Sequence, residues 1–168
     1  ALDGQVRPVR GVLMAALAVH RAGGTTILVP HSQVQEAQLV PELKVVGVAS
    51  LNDAVAWCRG EHFDVEPTQP TDPVVMAIPD LSDIRGQAGA RVALEIAAAG
   101  GHHLGFMGSP GVGKTMLAER LPGILPPLDD DLAVEVTAIH SVAGNLIPGQ
   151  GLMRLPPFQA PHHTATTA

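Results

Sequence analysis

The chain has 168 residues, of which 46% are hydrophobic, so it can form one ordinary domain or two small ones with an apolar core. Its net charge of −6 gives no support to a nucleic-acid interface within the chain, because such interfaces normally need a basic face. The single cysteine excludes an internal disulfide, and no apolar run approaches the ~20 residues of a membrane span, which together predict a cytoplasmic protein without a membrane partner.

Residues 1–60 alternate between helical and extended patterns. Apolar side chains recur at helical spacing from Val12 to Val19, and the pair Gly23-Gly24 ends this helix. The β-branched run TTILVP predicts a strand closed by Pro30, and the run KVVGV predicts a second strand. Because helices alternate with these strands, we expect an α/β fold in which the strands pair in parallel through helical crossovers.

Two stretches of this segment have the spacing of helix capping boxes. They are SQVQ, at residues 32–35, and SLND, at residues 50–53. They predict one helix that runs to about Leu39 and another that ends at Gly60. In the second helix we expect four side chains to face inward, which are Leu51, Ala54, Val55 and Cys58, and we interpret Trp57 as a core residue as well.

Residues 61–79 separate two segments of the chain. They carry four prolines and no helical period, so we interpret them as a semi-extended acidic linker. Residues 80–168 then form a second α/β segment. An alanine-rich helix, GQAGARVALEIAAAGG, ends at Gly100-Gly101, and the run HHLGFM that follows predicts a short buried strand.

Two further helices are predicted later in this segment. One covers KTMLAERL and is broken by Pro122, after which LPGILPPL is expected to be irregular. The other starts with an N-cap cluster at Asp129–Asp131 and runs to about Ala143, followed by loops or a hairpin. We expect four of its side chains to form one apolar face: Leu132, Val136, Ile139 and Ala143.

The stretch GSPGVGKT, from Gly108 to Thr115, satisfies G-x-x-x-x-G-K-[ST], the phosphate-binding P-loop or Walker A motif. Its glycines permit backbone angles at which several N–H groups face one phosphate. Lys114 would place a cation on the β- and γ-phosphates, and the Thr115 hydroxyl would ligate the Mg²⁺ that bridges them. The motif predicts a site for ATP and Mg²⁺ on nine consecutive residues: Gly108, Ser109, Pro110, Gly111, Val112, Gly113, Lys114, Thr115 and Met116.

The sequence around this loop resembles a particular ATPase family. The stretches DLSDIRGQAG, EVTAIHSVAG and PFQAPHHTAT together resemble the magnesium-chelatase-like AAA+ ATPases, and among these the bacterial competence-associated type implicated in DNA branch migration. The resemblance spans residues 80–168 and implies the N-terminal part of a P-loop AAA+ core. For the intact protein it implies a homo-oligomeric ring, a hexamer, that acts on DNA in recombination during natural transformation.

The first segment carries a resemblance of its own. The run LDGQVRPVRGVLMAALAVHRAGGTTILVP resembles the tail of the Lon-protease-like domain, which implies a partial ribosomal-S5-like domain over residues 1–60. Alignment on VHRAG places Leu13 where active Lon proteases carry a catalytic lysine, and the serine nucleophile would lie upstream of Ala1. Because leucine cannot act as a base, the resemblance argues against protease activity.

The resemblance also implies groups that this sequence does not supply. AAA+ ATPases use an Asp-Glu pair after a hydrophobic strand, whereas Asp129–Asp131 follow PPL, and no arginine that could act as an arginine finger follows Arg154 in the given residues. The chain also begins without an initiator Met and ends in TATTA. We therefore expect a piece of a longer protein that binds ATP without turnover and contains no catalytic residue.

Other interpretations stay open. The protein could be the motor subunit of a magnesium chelatase, although the Lon-like segment disfavours this, or a truncated fragment that binds nucleotide without hydrolysis. Arg85–Gln87 lie near adenine by resemblance alone, and a helix start accounts for them equally well. The pairs His102-His103 and His162-His163 do not favour a metal site, because adjacent side chains on a strand face opposite ways.

Overall fold

A computed structural model describes residues 3–61, 78–147 and 149–161. Most of the predicted linker at 61–79, and the second histidine pair, lie outside these residues. In chain order the described residues form α1 (Val12–Arg21), β1 (Thr26–Pro30), α2 (Val34–Ala37), β2 (Lys44–Val48), α3 (Leu51–Arg59), α4 (Ala88–Gly100), α5 (Lys114–Ala118), α6 (Leu121–Ile124) and α7 (Asp130–Ala143).

The chain divides into two compact units that are discontinuous in sequence. The first draws its described residues from Ala1–Val75 and Asp130–Met153, and the second from Met76–Asp129 and Arg154–Ala168. Helix α7 is thus part of the first unit, although it lies within the segment 80–168 of the predicted domain division. None of the helices in the described part of the chain combines the length and apolar character needed to cross a membrane.

The sheet of the first unit confirms the predicted parallel pairing. Strands β1 and β2 run in the same direction, with Thr26 opposite Lys44 and Pro30 opposite Val48. The mixed α/β class is therefore confirmed, whereas the ribosomal-S5-like and AAA+ folds stay predictions. Buried side chains from the helices, the first strand and the loop before β2 form the core of this unit: Val12, Leu13, Ala16, Val29, Val34, Ala37, Val40, Leu43 and Ala138.

Helix α7 has the predicted length, but its predicted apolar face is wrong. Leu132 and Ile139 are 47% and 61% exposed, whereas the buried residues are Ala133, Thr137, Ala138 and Ser141. These small side chains allow α7 to pack closely against α1. The buried Thr137 hydroxyl costs little, because it donates to the Ala133 carbonyl at 2.6 Å and accepts from the Met153 N–H at 2.9 Å.

A carboxylate on α2 connects three helices of the first unit. Glu36 Oε1 accepts hydrogen bonds from the Leu13 backbone N–H at 3.1 Å and from the Ser141 hydroxyl at 2.5 Å. The N-cap of α1, Gly11, offers no side-chain acceptor. Glu36 therefore supplies both an acceptor and a favourable negative charge at the start of α1.

Of the two predicted capping boxes, only the second forms. Ser32 lies inside the 3-10 turn His31–Gln33, so its backbone does not have the non-helical geometry that an N-cap requires. At α3, the Ser50 hydroxyl accepts from the Asp53 N–H at 3.2 Å, and the Asp53 carboxylate accepts from the Ser50 N–H at 2.8 Å. Hydrogen bonds from Ser50 lower the pKa of Asp53.

The predicted inward face of α3 is mostly wrong. Leu51 and Val55 are 61% and 39% exposed, and Cys58 is also exposed. Ala54 and Trp57 are half-buried. The helix begins and ends where the local signals place it, but the side chains that it partly buries are small or aromatic ones.

The two serines allow a matched stability test. We expect Ser50→Ala to lower the free energy of unfolding by about 1 kcal/mol, because the Asp53 N–H loses its acceptor. The control Ser32→Ala should change it by less than about 0.5 kcal/mol, since the exposed Ser32 lies inside a turn and is not an N-cap. Urea denaturation followed by circular dichroism measures both, and equal losses would contradict the assignment of the cap.

A capped turn lies near the start of the second unit, at residues 81–83. The Asp80 carboxylate accepts from the Ser82 N–H at 2.7 Å, which lowers the pKa of Asp80, and the Asp83 carboxylate accepts from the Asp80 N–H at 3.3 Å. Helix α4 follows and, as predicted, ends at a left-handed Gly101. Four buried side chains form the core of this unit: Leu81, Ile84, Leu94 and Leu117.

Two predictions for this unit are wrong. The run HHLGFM, at residues 102–107, forms no strand, and Leu104 and Met107 in it are 41% and 98% exposed. A strand needs a hydrogen-bonding partner, and the described part of this unit contains no other strand. Pro122 does not break a helix but lies in the first turn of α6, where its missing N–H costs nothing, and the preceding helix α5 already ends at Ala118.

Candidate phosphate-binding loop

The loop at residues 108–113 leads directly into helix α5. Its glycines Gly111 and Gly113 have φ angles of 82° and 89°, a region that side-chain-bearing residues rarely adopt. A Cβ built at either position meets no atom within 4 Å. The requirement for glycine is therefore set by the backbone angles, and the space beside the backbone is open to a ligand.

Lys114, the first residue of α5, folds back over the start of the loop. Its Nζ donates hydrogen bonds to the Gly108 carbonyl at 2.9 Å and to the Ser109 carbonyl at 2.8 Å. Its ammonium group is thus held beside the glycine-rich backbone. The buried Leu117, at 2% exposure, fixes α5 in the core of the unit and so fixes the base of the loop.

The structure places all nine predicted site residues in this one exposed loop and the first turn of α5. Thr115 is exposed, as are Ser109 and Pro110 before it. Val112 and Met116 are 41% and 50% exposed. The residues therefore fit a ligand that approaches from solvent, with open glycine backbone, an ammonium group and a hydroxyl at one site. The binding of ATP and Mg²⁺ at this site stays a prediction.

One contact of the loop was not found by sequence reasoning. The Gln87 side chain donates from Nε2 to the Val112 carbonyl at 3.1 Å. Gln87 is the N-cap of α4 and has a left-handed backbone, with φ 50° and ψ 37°, directly after Gly86 with φ 76°. The only signal in the sequence was the resemblance that placed Arg85–Gln87 near the nucleotide base.

The other candidate residues do not assemble into a second site within the described chain. His102 and His103 are exposed, and no group of three or more His, Cys, Asp or Glu side chains in residues 3–61, 78–147 and 149–161 is arranged to hold a metal ion. Asp130 and Asp131 lie in the first turn of α7. Leu13, for which the Lon resemblance predicts no catalytic role, is fully buried in the core of the first unit.

Comparison with known protein families supports the resemblance. Residues 80–168, which are 89 of the 168 residues, match the family described as magnesium chelatase, subunit ChlI. The chain belongs to this family. The family resemblance drawn from DLSDIRGQAG, IHSVAG and APHH is thereby confirmed, and the match begins at Asp80, where the second unit has its capped turn.

Several relatives match this chain along all or nearly all of its length. It is 49% identical over 168 residues to an uncharacterized protein of Mycobacterium tuberculosis, covering 100% of this chain and 33% of the relative. It is 39% identical over 167 residues to the uncharacterized protein YifB of Escherichia coli, and 37% identical over 171 residues to the competence protein ComM of Haemophilus influenzae. Each of the latter matches covers 99% of this chain, and 32% or 33% of the relative. The chain thus spans about a third of the length of the curated relatives it matches.

Proposed function

We propose that residues 108–116 bind ATP together with Mg²⁺. The observation that carries this proposal is the complete phosphate-loop motif in a loop with left-handed Gly111 and Gly113 and with Lys114 folded over it. The backbone N–H groups of the loop would bind phosphate oxygens. Lys114 would contact the β- and γ-phosphates, and the Thr115 hydroxyl would hold Mg²⁺, which neutralises part of the phosphate charge.

For the intact protein we propose an ATP-driven motor that acts on DNA in the cytoplasm. The support is the family membership and the 37% identity to a competence protein along 99% of this chain. In this proposal residues 1–60 are part of a ribosomal-S5-like domain, and residues 80–168 begin the AAA+ core. The motor would be a homo-oligomeric ring, and its DNA-binding residues and the groups for hydrolysis would lie outside this chain, which has a net charge of −6.

A second function also has a specific observation in its favour. The description of the matched family names the magnesium chelatase subunit ChlI. The second proposal is therefore that the intact protein drives metal insertion into a tetrapyrrole through a partner enzyme. The Lon-like first segment disfavours this function. The matches to YifB and to ComM each cover 99% of the chain, so both include this segment.

An ATPase assay on the intact protein separates the two functions. We expect branched DNA to raise the rate of ATP hydrolysis above the rate with linear duplex DNA of the same length, because a branch-migrating motor engages the junction. Chelatase partner subunits should leave the rate unchanged. Stimulation by those partners alone would rule out the DNA-acting motor in favour of the chelatase motor. This chain alone should bind ATP without steady-state hydrolysis, because we assign it no catalytic residue.

A further inference from the structure

We propose that Gln87 is a positioning residue for the phosphate loop, and that its side-chain amide orients the Gly113 N–H toward the phosphates of the nucleotide. The inference rests on the proposed ATP binding and adds a residue outside the motif to the same site. It starts from the hydrogen bond between Gln87 Nε2 and the Val112 carbonyl, which joins residues 25 positions apart.

The Gln87 side chain serves the loop rather than its own helix. Gln87 is the N-cap of α4, a position that usually holds Ser, Thr, Asp or Asn. It makes no side-chain cap hydrogen bond to α4. Gly86 and Gln87 both have left-handed backbone angles, and the Gln87 side-chain amide binds the phosphate loop instead.

The hydrogen bond acts on the peptide plane between Val112 and Gly113. Because a peptide is planar and trans, its C=O and N–H point in opposite directions, so an amide that holds the Val112 carbonyl also fixes the Gly113 N–H. Glycine at position 113 has φ 89° and no Cβ, which leaves this plane free to adopt either of two orientations. A hydrogen bond from Gln87 selects one of them.

Two side chains therefore hold carbonyl groups of the loop. Lys114 binds the Gly108 and Ser109 carbonyls at one end, and Gln87 binds the Val112 carbonyl at the other. A carbonyl oxygen that faced an anion would repel it, whereas an N–H attracts it. Holding the carbonyls leaves the N–H donors to face the phosphates, so Gln87 should raise the affinity for phosphate chains whatever base they carry.

The test uses two substitutions of Gln87 in the intact protein. Gln87→Gly tolerates the left-handed backbone and removes the side chain, whereas Gln87→Glu keeps its length but cannot donate from a carboxylate. We expect Gln87→Gly to raise the Kd for ATP and for tripolyphosphate by the same factor, about fivefold to tenfold, and Gln87→Glu to raise both further. Gln38→Glu, an exposed residue at the end of α2, is the control for added charge and should leave both constants unchanged.

Two further readouts separate positioning from general instability. The melting temperature of Gln87→Gly should stay close to the wild-type value, because relief of the left-handed strain offsets the loss of an exposed hydrogen bond. The amide resonance of Gly113 should shift or broaden in Gln87→Gly even before nucleotide is added, because its peptide plane is no longer held. Unchanged Gly113 resonances would overturn the proposal.

The outcomes distinguish this inference from the proposed function. If Lys114→Ala loses ATP binding while both Gln87 variants keep the wild-type Kd, ATP binding stands and the role of Gln87 is wrong. A Kd that rises for ATP but not for tripolyphosphate would assign Gln87 to the base and also overturn the inference. If the wild-type protein does not bind ATP, the proposed function fails and this inference fails with it.

Discussion

Replacing Lys114 by alanine is expected to raise the Kd for ATP about a hundredfold, which corresponds to roughly 3 kcal/mol. Two losses combine in this value. The variant lacks the cation that would face the β- and γ-phosphates, and it also loses the two hydrogen bonds by which Nζ holds the Gly108 and Ser109 carbonyls. Isothermal titration calorimetry with ATP and Mg²⁺ measures the change directly.

The chain provides a matched control for this substitution. Lys44 is its other lysine, and it lies exposed at the start of β2 in the first unit. Lys44→Ala removes the same charge and the same number of atoms, so its Kd for ATP should stay within about twofold of the wild-type value. If Lys114→Ala and Lys44→Ala bind ATP equally well, the assignment of the phosphate loop is wrong.

Local signals in the sequence predicted where most elements begin and end. Strands β1 and β2, the Ser50 cap of α3 and the glycine stop of α4 all depend on residues within a few positions of one another. Such signals act through the backbone angles and hydrogen bonds of neighbouring residues, and these depend on residue types that can be read from a short stretch of sequence. The parallel pairing followed from the order of the elements, since parallel strands need a crossover between them.

Burial was harder to predict because it depends on distant partners. In α7 the larger apolar residues Leu132 and Ile139 face solvent, while the hydroxyl groups of Thr137 and Ser141 are buried. Helical periodicity alone favours the larger side chains for the core. The opposite face is buried because its small side chains pack against α1 and Ala138 joins the core of the first unit, while Ser141 donates a hydrogen bond to Glu36, 105 residues earlier in the chain.

The candidate site also has one part that local sequence predicts and another that depends on residues distant in the chain. The phosphate loop could be predicted because its residues are contiguous and their types follow from the chemistry of phosphate. The contact between Gln87 and Val112 joins two segments, and no spacing rule relates a glutamine to a carbonyl 25 residues later. The strand predicted at 102–107 fails for a related reason, because strand formation depends on a partner that the run itself does not specify.

Replacing Leu13 by alanine is expected to lower the free energy of unfolding by about 3 kcal/mol. Leu13 is 0% exposed and belongs to the core of the first unit, so the substitution leaves a cavity rather than a solvated surface. Its backbone N–H keeps its hydrogen bond to Glu36, so the loss reports side-chain packing alone. The adjacent Met14, at 44% exposure, is the control, and Met14→Ala should cost less than about 1 kcal/mol in the same urea titration.

The substitution Leu13→Lys extends this test to function, because it restores the residue that the Lon resemblance places at this position. A lysine there would put an ammonium group among the apolar side chains of this core, so we expect a larger loss of stability than for Leu13→Ala. We expect no peptidase activity, since the role of Leu13 in this chain is to pack α1 against the core. A Leu13→Lys variant that matches the wild type in stability, or that cleaves peptides, would contradict this role.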